Sequence, residues 1–253
     1  MKVFITGASS GLGAALARHY AARGATVGLA ARRKPLLDEL AAGLPGAHHV
    51  YALDVADAAA LREAGEDFID RAGIPDIVIA NAGVSAGTLA GEPGDLPAFR
   101  RIFETNVLGM VHTFHPFIGA MRAAGRGRLA GISSVAGIRG LPGAGAYSAS
   151  KAAAIACLES LRVELRGSGV KVVTVAPGYI ETPMTAVNDY PMPFMLPADE
   201  AARRIARVID AGRSHAVVPW QMAVVAKLLR LLPDAAFDAL ASRAGRKPRG
   251  LDL

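Results

Sequence analysis

One cysteine, one tryptophan and an aromatic content of 6% are what this 253-residue chain has least of. A lone Cys157 excludes an intrachain disulfide and leaves no thiolate cluster for a structural zinc. Its expected role is that of a small buried hydrophobe. His112 and His115 stand three apart on a helical stretch, but no carboxylate or cysteine joins them at metal spacing, so no metal site is expected. The chain also lacks a basic stripe interleaved with aromatics, which removes nucleic acid from the expected partners. Met1-Lys2-Val3-Phe4-Ile5 runs straight into a glycine turn with no apolar leader before it, and a reducing, cytoplasmic setting is the expectation. With 52% hydrophobic residues the chain is too apolar for disorder, and its 28 glycines and 15 prolines follow no period.

What is present is an alternation. Short β-branched runs at Val3–Thr6, Ala25–Ala30, His48–Leu53, Asp76–Ala80, Gly127–Ser133, Val170–Ala176 and Ser214–Pro219 are separated by helical spacings near 12–23, 34–42, 57–72, 96–123, 146–167 and 198–211. Strands alternating with helices at this interval build βαβ units, and continuous apolar strands belong in a sheet covered on both faces. The expected fold is a single-domain α/β protein, a doubly wound Rossmann-type parallel sheet. It spans residues 1–219, with an apolar, proline-broken lid at 182–197, and a helical extension over 220–253 packs on the same domain.

The first strand feeds Thr6-Gly7-Ala8-Ser9-Ser10-Gly11-Leu12-Gly13 and then a helix-forming run. Strand, glycine turn and helix in that order let backbone N–H groups approach a pyrophosphate, so Gly7, Ser9, Ser10, Gly11, Leu12 and Gly13 are candidate cofactor contacts. A plain tight turn is the alternative for the glycines alone. One strand later an NAD site ordinarily carries a carboxylate for the ribose 2′-hydroxyl. This chain has Ala31-Arg32-Arg33-Lys34 there, and guanidinium groups at Arg32 and Arg33 suit a 2′-phosphate, favouring NADP(H) over NAD(H). A basic helix start facing water is the alternative.

Tyr147 and Lys151 sit four apart at the start of an alanine-rich helix, hence on one face. Bringing a phenol from about 10 to about 7 requires roughly 4 kcal/mol in favour of the phenolate. A neighbouring ammonium and a cationic nicotinamide ring would supply it, making Tyr147 a proton donor for carbonyl reduction and an acceptor for alcohol oxidation. Taken alone the pair reads equally as a surface tyrosine with a helical lysine. Three other segments, Asn81-Ala82-Gly83, Ser133-Ser134 and Pro177-Gly178, follow strands and so reach the same carboxyl edge of the sheet, where ligands bind in open parallel sheets.

Together, Thr6-Gly7-x-x-x-Gly11-x-Gly13, Asp54-Val55, Asn81-Ala82-Gly83, Asn106, Ser134, Tyr147-x-x-x-Lys151 and Pro177-Gly178 with Thr182 resemble the short-chain dehydrogenase/reductase family from residue 3 to about 218. The resemblance implies metal-independent hydride transfer between a nicotinamide dinucleotide and a ketone or secondary alcohol. It implies Tyr147 as acid/base, Lys151 as ribose ligand and modifier of the tyrosine, and Ser134, preferred to Ser133, as donor to the substrate oxygen. Asn106 takes the place of an asparagine that kinks its helix and holds a water of the proton relay. Asp54 and Val55 would meet the adenine, Asn81, Ala82 and Gly83 the adenosine and its ribose, and Pro177, Gly178, Ile180 and Thr182 the nicotinamide and diphosphate. Asp54 reads equally as a helix cap. Family members pair through the helices bearing Asn106 and Tyr147, so a homodimer or homotetramer is expected, helped by Ala152, Ala153, Ala154 and Ala156.

Met184, Tyr190, Met192, Phe194, Met195 and Leu196 predict an apolar pocket under the lid and a hydrophobic or lipid-like substrate. Beyond Pro219, Met222, Val225, Leu228, Leu229 and Leu232 form an apolar helix face, opposite a stripe of Ala223, Lys227, Arg230 and Asp234. The run is too short and too charged to span a bilayer. It packs on protein or lies on a membrane surface, and a solvated basic tail follows, with seven Lys and Arg against three Asp over the last 41 residues. Two alternatives to an enzyme stay open: a dinucleotide-binding regulatory protein and a peripheral membrane protein anchored by 220–243.

Overall fold

A computed structural model describes residues 1–250. Seven strands, β1 (Lys2–Thr6), β2 (Thr26–Ala31), β3 (His48–Ala52), β4 (Ile77–Ala80), β5 (Gly127–Ile132), β6 (Val170–Pro177) and β9 (His215–Val218), form one sheet in the order 3-2-1-4-5-6-9. Every pairing in it is parallel. A two-stranded ribbon of β7 (Ile180–Glu181) and β8 (Leu196–Pro197) stands apart from it. The strand order reverses between β1 and β4, and the crevice at the carboxyl end of that reversal is where such sheets bind ligands.

Consecutive side chains of a strand point to opposite faces, and β1 shows it. Val3 and Ile5 join one core with Leu16 and Tyr20 of α1 (Gly11–Ala21), Leu37 of α2 (Lys34–Ala42) and Ile205 of α8 (Ala198–Asp210). Phe4 points the other way, into a cluster with Phe68 of α3 (Ala58–Ala72), Phe117 of α5 (Gly109–Ala123) and Leu158 of α6 (Gly145–Glu164). The sheet is thus covered on both faces, as its uninterrupted apolar strands require.

Helix boundaries follow local chemistry. Asp57 caps α3 by accepting from the Ala59 and Ala60 N–H groups, and Gly73 at φ 88° ends it. Asp54 is therefore not that helix's cap. The stretch 96–123, expected as one helix, is instead α4 (Leu96–Phe103), a π turn over Glu104–Leu108, and α5. A π turn inserts one residue without breaking the apolar periodicity on either side, so the spacing of hydrophobics does not reveal it. Cys157 is exposed on the outer face of α6 rather than buried. The buried row of that helix runs through Lys151, Ala154 and Leu158, which leaves Cys157 off it.

Past β9 the chain forms α9 (Trp220–Leu231) and α10 (Asp234–Ala241), then an irregular segment. Met222 and Ala226 are buried, and Leu228, assigned by the sequence to the apolar packing face, is 60% exposed. Arg139 fastens the pair of helices. It donates to the Leu229 and Leu232 carbonyls at 2.9 and 2.7 Å, pairs with Asp234 at 2.6 Å, and lies 4.2 Å over the Phe237 ring. No described helix is long and apolar enough to cross a membrane.

Candidate active site

At the switch point the turn after β1 needs glycine for contact as much as for torsion. Gly7 and Gly11 adopt φ of 69° and 53°, and a Cβ on Gly13 would overlap the Gly7 carbonyl oxygen. Ser10 is the N-cap of α1 but its side chain makes no capping bond, and no acidic residue lies in the first turn. The free N–H groups of that turn therefore face the crevice as an anion-receptive end. The Arg33 guanidinium spans the same turn, donating to Ser9 Oγ at 3.0 Å and Ser10 Oγ at 2.7 Å. Arg32 lines the crevice beside it and is exposed.

Asp54, Val55, Asn81, Ala82 and Gly83 also line the crevice. Asn81 Nδ2 donates to the Thr6 and Gly7 carbonyls at 3.1 and 3.3 Å, so it braces the glycine turn from behind. Asp54 accepts from the Ala56 N–H at 3.0 Å and from Arg101 at 2.5 Å. Burial works against its charge, but these two bonds hold its carboxyl below the usual range. Arg101 lines the crevice too and was not anticipated. Its only trace in the sequence is a cation in a helix that starts near the expected dinucleotide site.

Ser134, Tyr147, Lys151, Pro177, Gly178, Ile180 and Thr182 line the same crevice, with the Lys151 ammonium next to Gly83. Ser134 stands beside the Tyr147 phenol and its Oγ accepts from the Ala136 N–H at 3.1 Å, whereas Ser133 is buried and gives its hydroxyl to the Lys151 carbonyl at 2.8 Å. The two adjacent serines are thus divided, one toward the crevice and one toward helix α6. Lys151 is 4% exposed; its ammonium donates to the Ile132 carbonyl at 2.9 Å and lies 5.8 Å from the centre of the Tyr147 ring. Burial lowers Lys151 to about 8. Burial also raises the Tyr147 phenol, with Ser134 beside it acting in the other direction. Burial is the larger of these two effects.

Asn106 sits in the π turn, buried, and its side chain is spent on protein. It accepts from the Val84 N–H at 2.8 Å and donates to the Val84 carbonyl and Ser150 Oγ, each at 3.0 Å. It ties the loop after β4 to α6 as a brace. Thr182 begins α7 (Pro183–Ala186) in a reciprocal cap with Thr185, and its methyl stands 3.0 Å from the position of a Cβ on Gly11, closing the crevice over the glycine turn.

A parallel sheet with an uncapped helix start at its switch point and a buried lysine beside a tyrosine defines a dinucleotide-dependent oxidoreductase. The short chain dehydrogenase family model matches residues 1–191. The chain belongs to that family, whose members exchange hydride between alcohol or ketone groups and NAD(P). A Myxococcus xanthus protein named an uncharacterized oxidoreductase is 42% identical over 244 residues, covering 94% of this chain and 95% of its own length. A short-chain dehydrogenase from Streptomyces avermitilis superposes with a TM-score of 0.79 at 26% identity, covering 95% of this chain and 94% of that one. An alcohol dehydrogenase from Thermococcus sibiricus, solved with 5-hydroxy-NADP, gives 0.75 at 26% identity, covering 86% and 95%.

Gly13→Ala places a methyl against the Gly7 carbonyl, and backbone cannot yield as a side-chain tip can. Dinucleotide affinity should fall by about tenfold or more, roughly 1.4 kcal/mol, by titration calorimetry. A variant that melts like the wild type and binds as tightly would remove the turn from the site.

Proposed function

We propose that the protein interconverts a ketone and a secondary alcohol on a hydrophobic substrate, with NADP(H) preferred over NAD(H). The observation that carries the reading is that Ser134, Tyr147 and Lys151 line one crevice, with the Lys151 ammonium 5.8 Å from the centre of the Tyr147 ring. When bound, the dinucleotide supplies or takes up the hydride. Its diphosphate would lie on the N–H groups at residues 11–13, its ribose within reach of Lys151, its adenine between Asp54–Val55 and Asn81–Gly83. Ser134 and Tyr147 line the same crevice, where their hydroxyls would give a substrate oxygen two hydrogen bonds. Burial holds the phenol in its protonated form, the form that gives a proton in carbonyl reduction. Ser134 would share the charge that develops on the oxygen.

The coenzyme preference rests on the two arginines and on the absence of a carboxylate at 30–34. Arg33 is already held over the turn by Ser9 and Ser10, and Arg32 adds an exposed second guanidinium to the same rim. The hydrophobic substrate rests on the lid, where Met184, Phe194 and Met195 stay exposed in a segment pinched at its base by the β7–β8 pair.

Assembly is read from uncovered apolar surface. Leu108, Val111 and Val163 are 48%, 45% and 61% exposed on the adjoining helices α5 and α6 and the π turn, beside the exposed Ala152 and Ala156. That face suits self-complementary pairing with a second copy. A second reading, peripheral contact with an anionic bilayer, is favoured by a row on α9, with Trp220 69%, Leu228 60% and Leu231 71% exposed.

Tyr147→Phe should lower kcat for ketone reduction by about 100-fold to 10,000-fold while NADPH affinity holds; an undiminished rate would show that another group gives the proton. Arg32→Ala should shrink the NADPH-over-NADH ratio of kcat/KM by about tenfold to a hundredfold, a charge-assisted bond's worth, and an unchanged ratio would free the rim of that role. Val111→Glu should convert the sedimenting oligomer to monomer, and Leu228→Glu should not; the reverse outcome would move the interface to α9. Flotation with phosphatidylserine vesicles that Leu228→Glu leaves unchanged would end the bilayer reading.

A further inference from the structure

The last described residues are not a solvated tail. Taken one by one, they alternate between the two sides of the opening above Tyr147. Gly245 lies against Tyr190 of the lid so closely that a Cβ there would overlap the tyrosine's own Cβ. Arg246 lays its stem across Gly143, 3.1 Å from the position of a Cβ on that residue, in the loop that leads into α6. Lys247 returns to the lid: its ammonium donates to the Met184 carbonyl at 2.7 Å and approaches Asn188 Oδ1 at 3.4 Å. The Pro248 carbonyl accepts from the Gly87 N–H at 2.8 Å, on the loop after β4. Arg249 ends the crossing on the same loop, bonding Asp95 at 2.8 Å and Glu92 at 3.3 Å.

The two rim loops are themselves one body. Thr88 pairs with Ala144 as an isolated bridge, the Thr88 N–H donates to the Gly143 carbonyl at 2.8 Å, and Thr88 Oγ1 accepts from Ala146 at 3.2 Å, one residue before Tyr147. Tyr190, the lid residue against Gly245, is pushed up to about 12 by burial, with the neighbouring Tyr179 and Tyr147 phenols adding to the shift. The two ends of the lid are paired with each other by a two-residue ribbon at its base. A main-chain bond to Gly87 on the rim, the Lys247 ammonium on a lid carbonyl, an ion pair onto the buried Asp95 and glycines that admit close approach make this more than a chain end lying on a surface.

We infer that residues 245–249 are a strap that fastens the lid to the rim over the substrate side of the site, with Lys247 and Arg249 as its positioning residues, so that substrate size is selected by the strap. The inference rests on the oxidoreductase reading for what passes beneath the strap, but not for the fastening itself. Nothing from the strap lines the dinucleotide crevice, so coenzyme binding should be indifferent to it.

Gly87→Ala tests the fastening without removing a charge, because its methyl would overlap the Lys247 carbonyl. Arg249→Gln removes the ion pair, and a chain ending at residue 243 removes the strap. Amide exchange over 183–190, followed by mass spectrometry on the full folded protein, should quicken by about tenfold or more in all three, with exchange in β1 and α1 unchanged. NADPH affinity should stay within about twofold, and kcat/KM for a bulky ketone should rise relative to that for a small one by about tenfold, the scale of one or two methylene contacts. Lid exchange equal to the wild type in Gly87→Ala and Arg249→Gln overturns the strap, as does a faster lid with an unchanged bulky-to-small ratio. A wild type that turns over no ketone sinks the oxidoreductase reading, and lid exchange still decides the fastening.

Discussion

An ammonium kept almost out of water is the constraint around which the site is arranged. Lys151 is buried with a neutral carbonyl, that of Ile132, as its bonded partner. A pKa near 8 in the fold against 10.5 outside it corresponds to about 3 kcal/mol against the charged form. Since the folded value is the lower one, that cost is present in full below pH 8 and fades as the pH climbs toward 10.5, where the unfolded lysine also loses its proton. A stabilising device would not be built this way. The cost is held in place by the packing around it: Ser133 bonds the Lys151 carbonyl, and the turn at Val135–Gly137 lies so close to that residue that a Cβ on Gly137 would come within 2.7 Å of its backbone.

The brace continues through Asn106. Its two amide hydrogens and its carbonyl join Val84 to Ser150, and Ser150 in turn donates to the Tyr147 carbonyl at 2.8 Å. One side chain in a π turn thus fixes the loop after β4, the helix with the tyrosine and the helix with the π turn against one another. An extra residue in the helix is what turns Asn106 inward, since a regular α-helix over 96–123 would carry it past the loop. Local helical regularity is given up where three elements meet at the reacting groups, which is where strain of this kind is expected to concentrate.

How much of this could be read from residues alone follows from range. Each of the seven strands lies within a residue or two of its expected run, because an apolar run bounded by glycine and helical spacing is a local signal. The crevice collects every residue named for the cofactor, since most follow a strand and all strands end at one edge, with Lys151 reaching it from α6. What escaped depends on distant partners. Cys157 faces outward because the buried row of α6 is set by what packs beneath it, and Leu228 likewise. The roles of Arg101, Arg139 and Lys247 are decided by Asp54, Leu229 and Met184, residues 47, 90 and 63 positions away. The phenol's raised pKa is a burial effect, and burial depth at a helix start has no signature in a sequence.

The two halves of the crevice differ in how they are built, and the difference bears on specificity. The dinucleotide side is made of backbone: positive-φ glycines, a helix start without a cap, and an asparagine bonded to main-chain carbonyls. Such a surface admits few substitutions and recognises a group common to all dinucleotides. The substrate side is made of side chains on short connections, Tyr190, Met184, Met222 against Gly178, and the crossing of Lys247 and Arg249. Several of these, Met222, Lys247 and Arg249 among them, lie past residue 191, where the family model stops, while the Myxococcus relative matches across 94% of the chain. Chemistry shared by a whole family must reside in the part they share. Discrimination among ketones has to come from what is added, and here the addition returns from the far end of the chain to close over the tyrosine.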